Sequence, residues 1–206
     1  MIISTKHRFV LLSNTKCAST SLTHSFKDHV DLTMAEDYRL RHTDYKTYKQ
    51  FVEPYLQHAL QSEPDNKFDV FCLFREPVDW VFSWYKFRRS SHLGKADDPE
   101  KSTTNITWDD YLTLYLKGWP QNKSLVVGQQ HSFVTLKDGS TTGLNLYRYE
   151  NLHKLTALLS DRIGKQVGLL EWNVSSTHDF APSDEHRERA RRVLKRDYQI
   201  YDDIAR

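Results

Sequence analysis

The run Phe68-Asp69-Val70-Phe71-Cys72-Leu73-Phe74 limits the folds open to this chain more than any other stretch. It is short, and rich in aromatic and branched side chains, so it reads as a buried strand. It runs straight into Arg75-Glu76-Pro77, and a proline at a first helical position opens the helical pattern of 78–89. The same strand-then-helix order recurs. Val10, Leu11 and Leu12 form a buried strand expected to start by about Phe9, and residues 21–29 follow with helical spacing. Residues 145–164 read as a strand and then an amphipathic helix. Further helices are expected over 45–60, with Pro54 as a kink or break, and over 107–118, with Thr107 as N-cap and Gly118 as stop. A last long helix is expected from near Ser183 to about Tyr201, and residues 90–106 read as an exposed loop. Strands alternating with helices predict an α/β layered fold with a largely parallel sheet.

A chain of 206 residues has room for one domain with a full core, so a single domain over 1–206 is expected. The absence of any apolar run of about 18 residues predicts no membrane span. Lys6 and Arg8 stand just before the first expected strand, which leaves no space for a signal peptide. The two cysteines, Cys17 and Cys72, do not make a disulfide framework and suit a reducing cytosol. The alternative setting is a Golgi lumen reached through an anchor outside this sequence. Three Asn-x-Ser/Thr tripeptides, at 105, 122 and 173, carry little weight because such patterns are common by chance. A net charge of +2 does not mark a nucleic-acid binder. The basic stretch 186–196 reads as a solvated helix face.

The stretch Asn14-Thr15-Lys16-Cys17-Ala18-Ser19-Thr20-Ser21 joins the first expected strand to the first helix. A helix start presents backbone N–H groups without intrahelical partners, and these carry partial positive charge. A phosphate or sulfate placed there gains several hydrogen bonds at once. Lys16 adds a full charge, and Ser19, Thr20 and Ser21 add hydroxyl donors on small side chains. The alternative is that these hydroxyls merely cap the helix. The nucleoside-triphosphate loop G-x-x-x-x-G-K-[ST] is absent, and none of the seven glycines lies in this elbow. ATP with magnesium is therefore a poor candidate ligand, and no metal is expected. A second anion grip is expected at the carboxyl edge of the 68–74 strand, where Arg75 emerges, with Ser83 eight residues on in the following helix. Pairing of Arg75 with Glu76 or Asp79 is the alternative there.

Together the two stretches resemble the sulfotransferase superfamily, most closely its carbohydrate branch of heparan and chondroitin enzymes and bacterial relatives. The elbow Thr15-Lys16-Cys17-Ala18-Ser19-Thr20-Ser21 is similar to the family's P-K-x-[AG]-[GS]-T-S. Arg75-Glu76-Pro77 with Ser83 and Tyr85 is similar to its R-x-P-x-x-R-x-x-S-x-Y. Two positions depart: Thr15 stands for the usual proline and Trp80 for the middle arginine. The resemblance implies a P-loop-like three-layer fold, a mostly parallel sheet flanked by helices. It implies sulfuryl transfer from 3′-phosphoadenosine 5′-phosphosulfate (PAPS) to an acceptor hydroxyl, leaving 3′-phosphoadenosine 5′-phosphate (PAP). Residues Lys16, Cys17, Ala18, Ser19, Thr20 and Ser21 would hold the phosphosulfate, and Arg75 and Ser83 the 3′-phosphate.

In such a reaction Lys16 stabilises the leaving oxygen, and a histidine is the natural base. The segment 39–45 resembles the family segment that holds a histidine, which favours His42, with His131 as runner-up. His24 reads as sitting on the outer face of the first helix. The acceptor is expected to be a saccharide, with Trp84, Trp108 and Trp119 as candidate platforms and 90–106 as a candidate lid. Alternative functions are a nucleotide-dependent kinase, or a non-catalytic binder of acidic glycan or nucleic acid that uses the basic helix.

Overall fold

The computed structural model describes residues 1–61, 67–89, 101–118, 127–170 and 181–205. The chain divides into two compact units. The first comprises Met1–Phe74, His131–Asn173 and Ile204–Arg206; the second comprises Arg75–Gln130 and Val174–Asp203.

The first unit is built on a five-stranded mixed sheet in the order β3-β1-β2-β4-β5. Its strands are β1 (Ile2–Ser4), β2 (Phe9–Leu12), β3 (Leu32–Thr33), β4 (Asp69–Phe74) and β5 (Leu144–Arg148). β2, β4 and β5 are parallel, in the register Leu12↔Cys72 and Cys72↔Leu146. β1 pairs antiparallel with both β2 and β3. The α/β class and the parallel centre agree with the expectation, but the first strand is Ile2–Ser4 and not the segment at Phe9. Three residues are too few to show a period, and pairing of Ile3 with Val10 on one side and Leu32 on the other defines them. The hairpin turn places Arg8 at φ 54°, and Ser4 Oγ accepts from the His7 N–H at 3.2 Å.

Helix α1 (Ser19–Phe26) follows β2, with a 3-10 turn over Lys27–His29. Two short helices, α2 (Tyr38–Arg41) and α3 (Tyr45–Thr47), precede a π-helical stretch at Tyr48–Val52 and α4 (Glu53–Ala59). Pro54 therefore stands in the first turn of α4, where its missing N–H costs least, and the widened turn sits just before it. Between β4 and β5 the chain passes through the second unit and then α7 (His131–Val134). After β5 comes α8 (Leu152–Ile163), ended by Gly164 at φ 70°. Phe9, Val10, Phe26, Phe74, Leu155 and Leu159 are fully buried. Phe9→Ala is expected to lower unfolding free energy by about 3–5 kcal/mol, read as a shift of the urea midpoint, because a central strand cannot collapse around the cavity.

The second unit packs α5 (Pro77–Arg89), α6 (Trp108–Leu116), α9 (Asp184–Val193) and α10 (Lys195–Asp203) around an aromatic cluster of Phe82, Tyr85, Trp108 and Tyr111. Thr107 caps α6 by accepting from the Asp110 N–H. The expected single helix to Tyr201 is two helices, broken at buried Leu194 with ψ 45°. Nothing local announces the break, since Ala190, Leu194 and Tyr198 keep one four-residue apolar spacing across it.

Residues 101–106 form the largely exposed loop expected, with Lys101, Thr104 and Asn105 at the surface, but the loop is pinned: Thr103 is fully buried and donates to the Tyr85 carbonyl at 2.8 Å, while Tyr85 Oη donates to the Ile106 carbonyl. Residues 90–100, and with them the lid role, lie outside the described residues, as do Trp119 and the tripeptides at 122 and 173. The basic helix is mostly solvated, as expected, with Ala190 buried, but three of its arginines are ion-paired. Arg187 pairs with Asp79, Arg189 with Asp109, and Arg191 with Asp202. Among the described residues no helix is long and apolar enough to cross a membrane.

Candidate anion-binding site

β2 delivers the chain to the elbow through two buried polar residues, Ser13 and Asn14. Asn14 Nδ2 donates to the Leu73 carbonyl at 3.0 Å, which ties the start of the elbow to the neighbouring strand β4. The backbone then reverses at Lys16, φ 60°, and Ala18, φ 55°. Both lie in the left-handed region that residues with a Cβ avoid, at a cost of about 1–2 kcal/mol each. Cys17 between them buries its thiol and anchors the turn. Backbone strain of this kind persists only where the surroundings enforce it, and it clusters at ligand clamps.

The N-cap of α1 is Ala18, whose methyl group accepts no hydrogen bond. Its carbonyl begins the helical ladder by accepting from the Leu22 N–H at 3.0 Å. The helix start is thus not closed by a capping hydroxyl of its N-cap residue, and Ser19 and Thr20 stand half-buried in the first turn. Ser21 is buried. Lys16, at the turn itself, is half-buried.

His42 belongs to the same unit and follows directly on α2. Its Nδ1 lies 2.6 Å from the carbonyl oxygen of Ser13, three residues before Lys16. A carbonyl only accepts, so Nδ1 carries the proton and Nε2 keeps its lone pair. The N-terminal amine donates to Ser13 Oγ at 2.9 Å and to the Arg41 carbonyl at 2.8 Å, which further joins this segment to the end of β2. Burial pushes the His42 pKa below the ordinary 6.5. The Ser13 carbonyl opposes this, and the positive charges of the N-terminal amine and Arg41 reinforce it. Tyr38 packs its ring 4.6 Å from the imidazole.

One side of α1 lines a cleft of about 260 Å³ with Thr20, Thr23, His24 and Lys27, joined by Arg41 and Glu36. His24 is half-exposed where Leu22, Thr23, Ser25 and Phe26 beside it are buried, in keeping with an outer-face position, and it lines this cleft. His131 opens the four-residue helix α7.

β2 and β4 are parallel neighbours, so the chain leaves both at the same edge of the sheet, β2 into the elbow and β4 into Arg75. Within the second unit, Arg75 is half-buried and Ser83 is buried on α5. Both carboxylates next to Arg75 are engaged. Glu76 Oε1 accepts from Tyr198 Oη at 2.6 Å, and Arg187 reaches Asp79 at 2.9 Å. Burial raises the Glu76 pKa, with the Tyr198 hydrogen bond acting against it. Trp80 is buried and packs edge-on against Trp84, and Arg187 pairs with Asp79 on the same helix.

Lys86, which carried no weight in the sequence, is close enough to Arg75 to have its pKa lowered, burial being the larger cause. Its signal was a lysine one turn beyond Ser83 on the same helix. Trp108 is largely buried in the aromatic cluster of its unit, at 5.0 Å from Phe82.

No protein-family model matches the chain, and no curated protein matches it.

Proposed function

We propose that this protein transfers a sulfuryl group from PAPS to a hydroxyl acceptor, a saccharide being the acceptor expected. The observation that carries the reading is the pairing of a strained, lysine-bearing elbow at a helix start with an oriented histidine hydrogen-bonded to the strand end that feeds it. A P-loop-like arrangement of β2, the elbow and α1 is part of the proposal. The elbow Lys16–Ser21 receives the 5′-phosphosulfate, and Arg75 with Ser83 receives the 3′-phosphate, with Lys86 adding charge near Arg75.

The acceptor oxygen attacks sulfur in line with the bridging oxygen. The new O–S bond forms as the bridging S–O bond breaks, and PAP leaves with the bond's electrons. Lys16 and the α1 amides meet the charge that grows on the departing oxygen. His42 Nε2 takes the acceptor proton, and its lowered pKa keeps it unprotonated at neutral pH. The products are a sulfate ester and PAP, and the chemistry asks for no metal. The two buried cysteines, Cys17 and Cys72, are not in a disulfide and suit a reducing compartment such as the cytosol.

The rival readings separate in one thermal-shift screen of PAP, ATP with magnesium, and heparin at two salt concentrations. PAP is expected to stabilise the protein, with a shift that grows with the logarithm of its concentration. Stabilisation by ATP with magnesium alone would favour a kinase. A salt-sensitive heparin shift without PAP binding would favour a charge-binding module. That last reading is weakened because Arg187, Arg189 and Arg191 already face carboxylates. By calorimetry, Arg75→Ala is expected to weaken PAP by about 10–100-fold, the loss of a charge-assisted grip. Unchanged PAP affinity would remove the 3′-phosphate assignment.

A further inference from the structure

We infer that Gln130 is a positioning residue for the 3′-phosphate grip, acting through Arg75; the inference rests on the function proposed above. β4 ends at Phe74, so the peptide groups of residue 75 have left the strand ladder. Gln130 takes the place of a neighbouring strand. The Arg75 N–H donates to Gln130 Oε1 at 2.9 Å, and Gln130 Nε2 donates to the Arg75 carbonyl at 2.8 Å. The amide's orientation is dictated by its partners, because an N–H only donates and a carbonyl only accepts.

Gln130 is only 2 % exposed, whereas glutamine usually stands at the surface. A buried primary amide that satisfies both backbone groups of one residue fixes that residue's dihedral angles and the direction of its Cα–Cβ bond. Just beyond, the Asp79 N–H donates to Glu76 Oε2 at 2.8 Å and Tyr198 holds Glu76 Oε1. The segment 75–79 is therefore held at Arg75 by Gln130 and at Glu76 by Tyr198. Tyr198 and Asp79 fasten Glu76, while Gln130 bonds both backbone groups of the residue assigned to the phosphate. A pre-aimed guanidinium loses less freedom on meeting a phosphate, and it meets it in the forked geometry that makes such bonds strong.

The test compares PAP with adenosine 5′-monophosphate, which lacks the 3′-phosphate, by calorimetry on the wild type, Gln130→Met and Gln130→Glu. Methionine keeps the length and removes both hydrogen bonds; glutamate keeps the acceptor and removes the donor. Calorimetric stoichiometry reports the folded fraction, so partial misfolding does not pass for lost affinity. Gln130→Met is expected to weaken PAP about tenfold while leaving the monophosphate within about twofold, with Gln130→Glu between it and the wild type. A variant that weakens both nucleotides equally, or that keeps the full preference for PAP, overturns the positioning role and leaves the proposed function standing. Equal affinity of the wild type for the two nucleotides overturns the 3′-phosphate grip and the proposed function with it.

Discussion

Lys16→Ala is expected to lower kcat for sulfuryl transfer at least about a hundredfold, with the protein still folded. The loss is large because the charge on the bridging oxygen exists only as its bond to sulfur breaks. A donor aimed at it therefore favours the transition state over bound PAPS. PAP binding is expected to weaken far less than turnover, since Arg75 and Ser83 are assigned the other end of the nucleotide. The fold should survive because alanine is already tolerated in this backbone state two residues on, where Ala18 has φ 55°. Steady-state kinetics, beside a thermal melt of the unliganded variant, make the measurement. Turnover at the wild-type rate would remove Lys16 from the mechanism.

His42→Ala is expected to cost about 10²–10⁴ in kcat and to abolish the acid limb of the pH profile of kcat/KM. Only the neutral imidazole accepts the proton, so the wild-type rate falls as pH drops through the His42 pKa. That limb lies below 6.5, because burial disfavours the imidazolium. The sign for stability follows from the same depression. Below about pH 6.5 the unfolded chain binds a proton on this residue that the folded chain does not, so its contribution to stability is lost as pH falls. In the alanine variant this part of the pH dependence of the urea midpoint should vanish together with the kinetic limb. An acid limb that persists unchanged assigns it to another group, His24 and His131 being the next to substitute.

Much of the architecture is legible in single stretches. The strand 69–74, the start of α5 at Pro77, the Thr107 cap and the Gly118 stop are all local events, decided by side chains within a few residues of one another. What the local pattern misread depended on distant partners. Ile2–Ser4 is a strand only because Val10 and Leu32 flank it. Within the exposed loop 101–106, Thr103 is buried because the Tyr85 carbonyl captures it from 18 positions away. The arginines of α9 look like a solvated stripe because the carboxylates they meet lie in α5, α6 and α10.

The candidate site divides the same way. Lys16 in a strand-to-helix elbow and Arg75 at a strand's carboxyl end are written in the order of residues, since strand period, small residues and proline act locally. The way His42 and Gln130 are held is not. The ring of His42 is oriented by a carbonyl 29 positions earlier, and the amide of Gln130 by a backbone 55 positions earlier. The left-handed backbone at Lys16 and Ala18 is likewise imposed by the Asn14 bond to β4 and by burial of Cys17. The sequence by itself determined the elements and the charged residues at their ends, because these rest on near-neighbour sterics and hydrophobic period. Only the tertiary structure decided which side chains hold those residues in place, because a hydrogen bond depends on where the folded backbone brings its two ends.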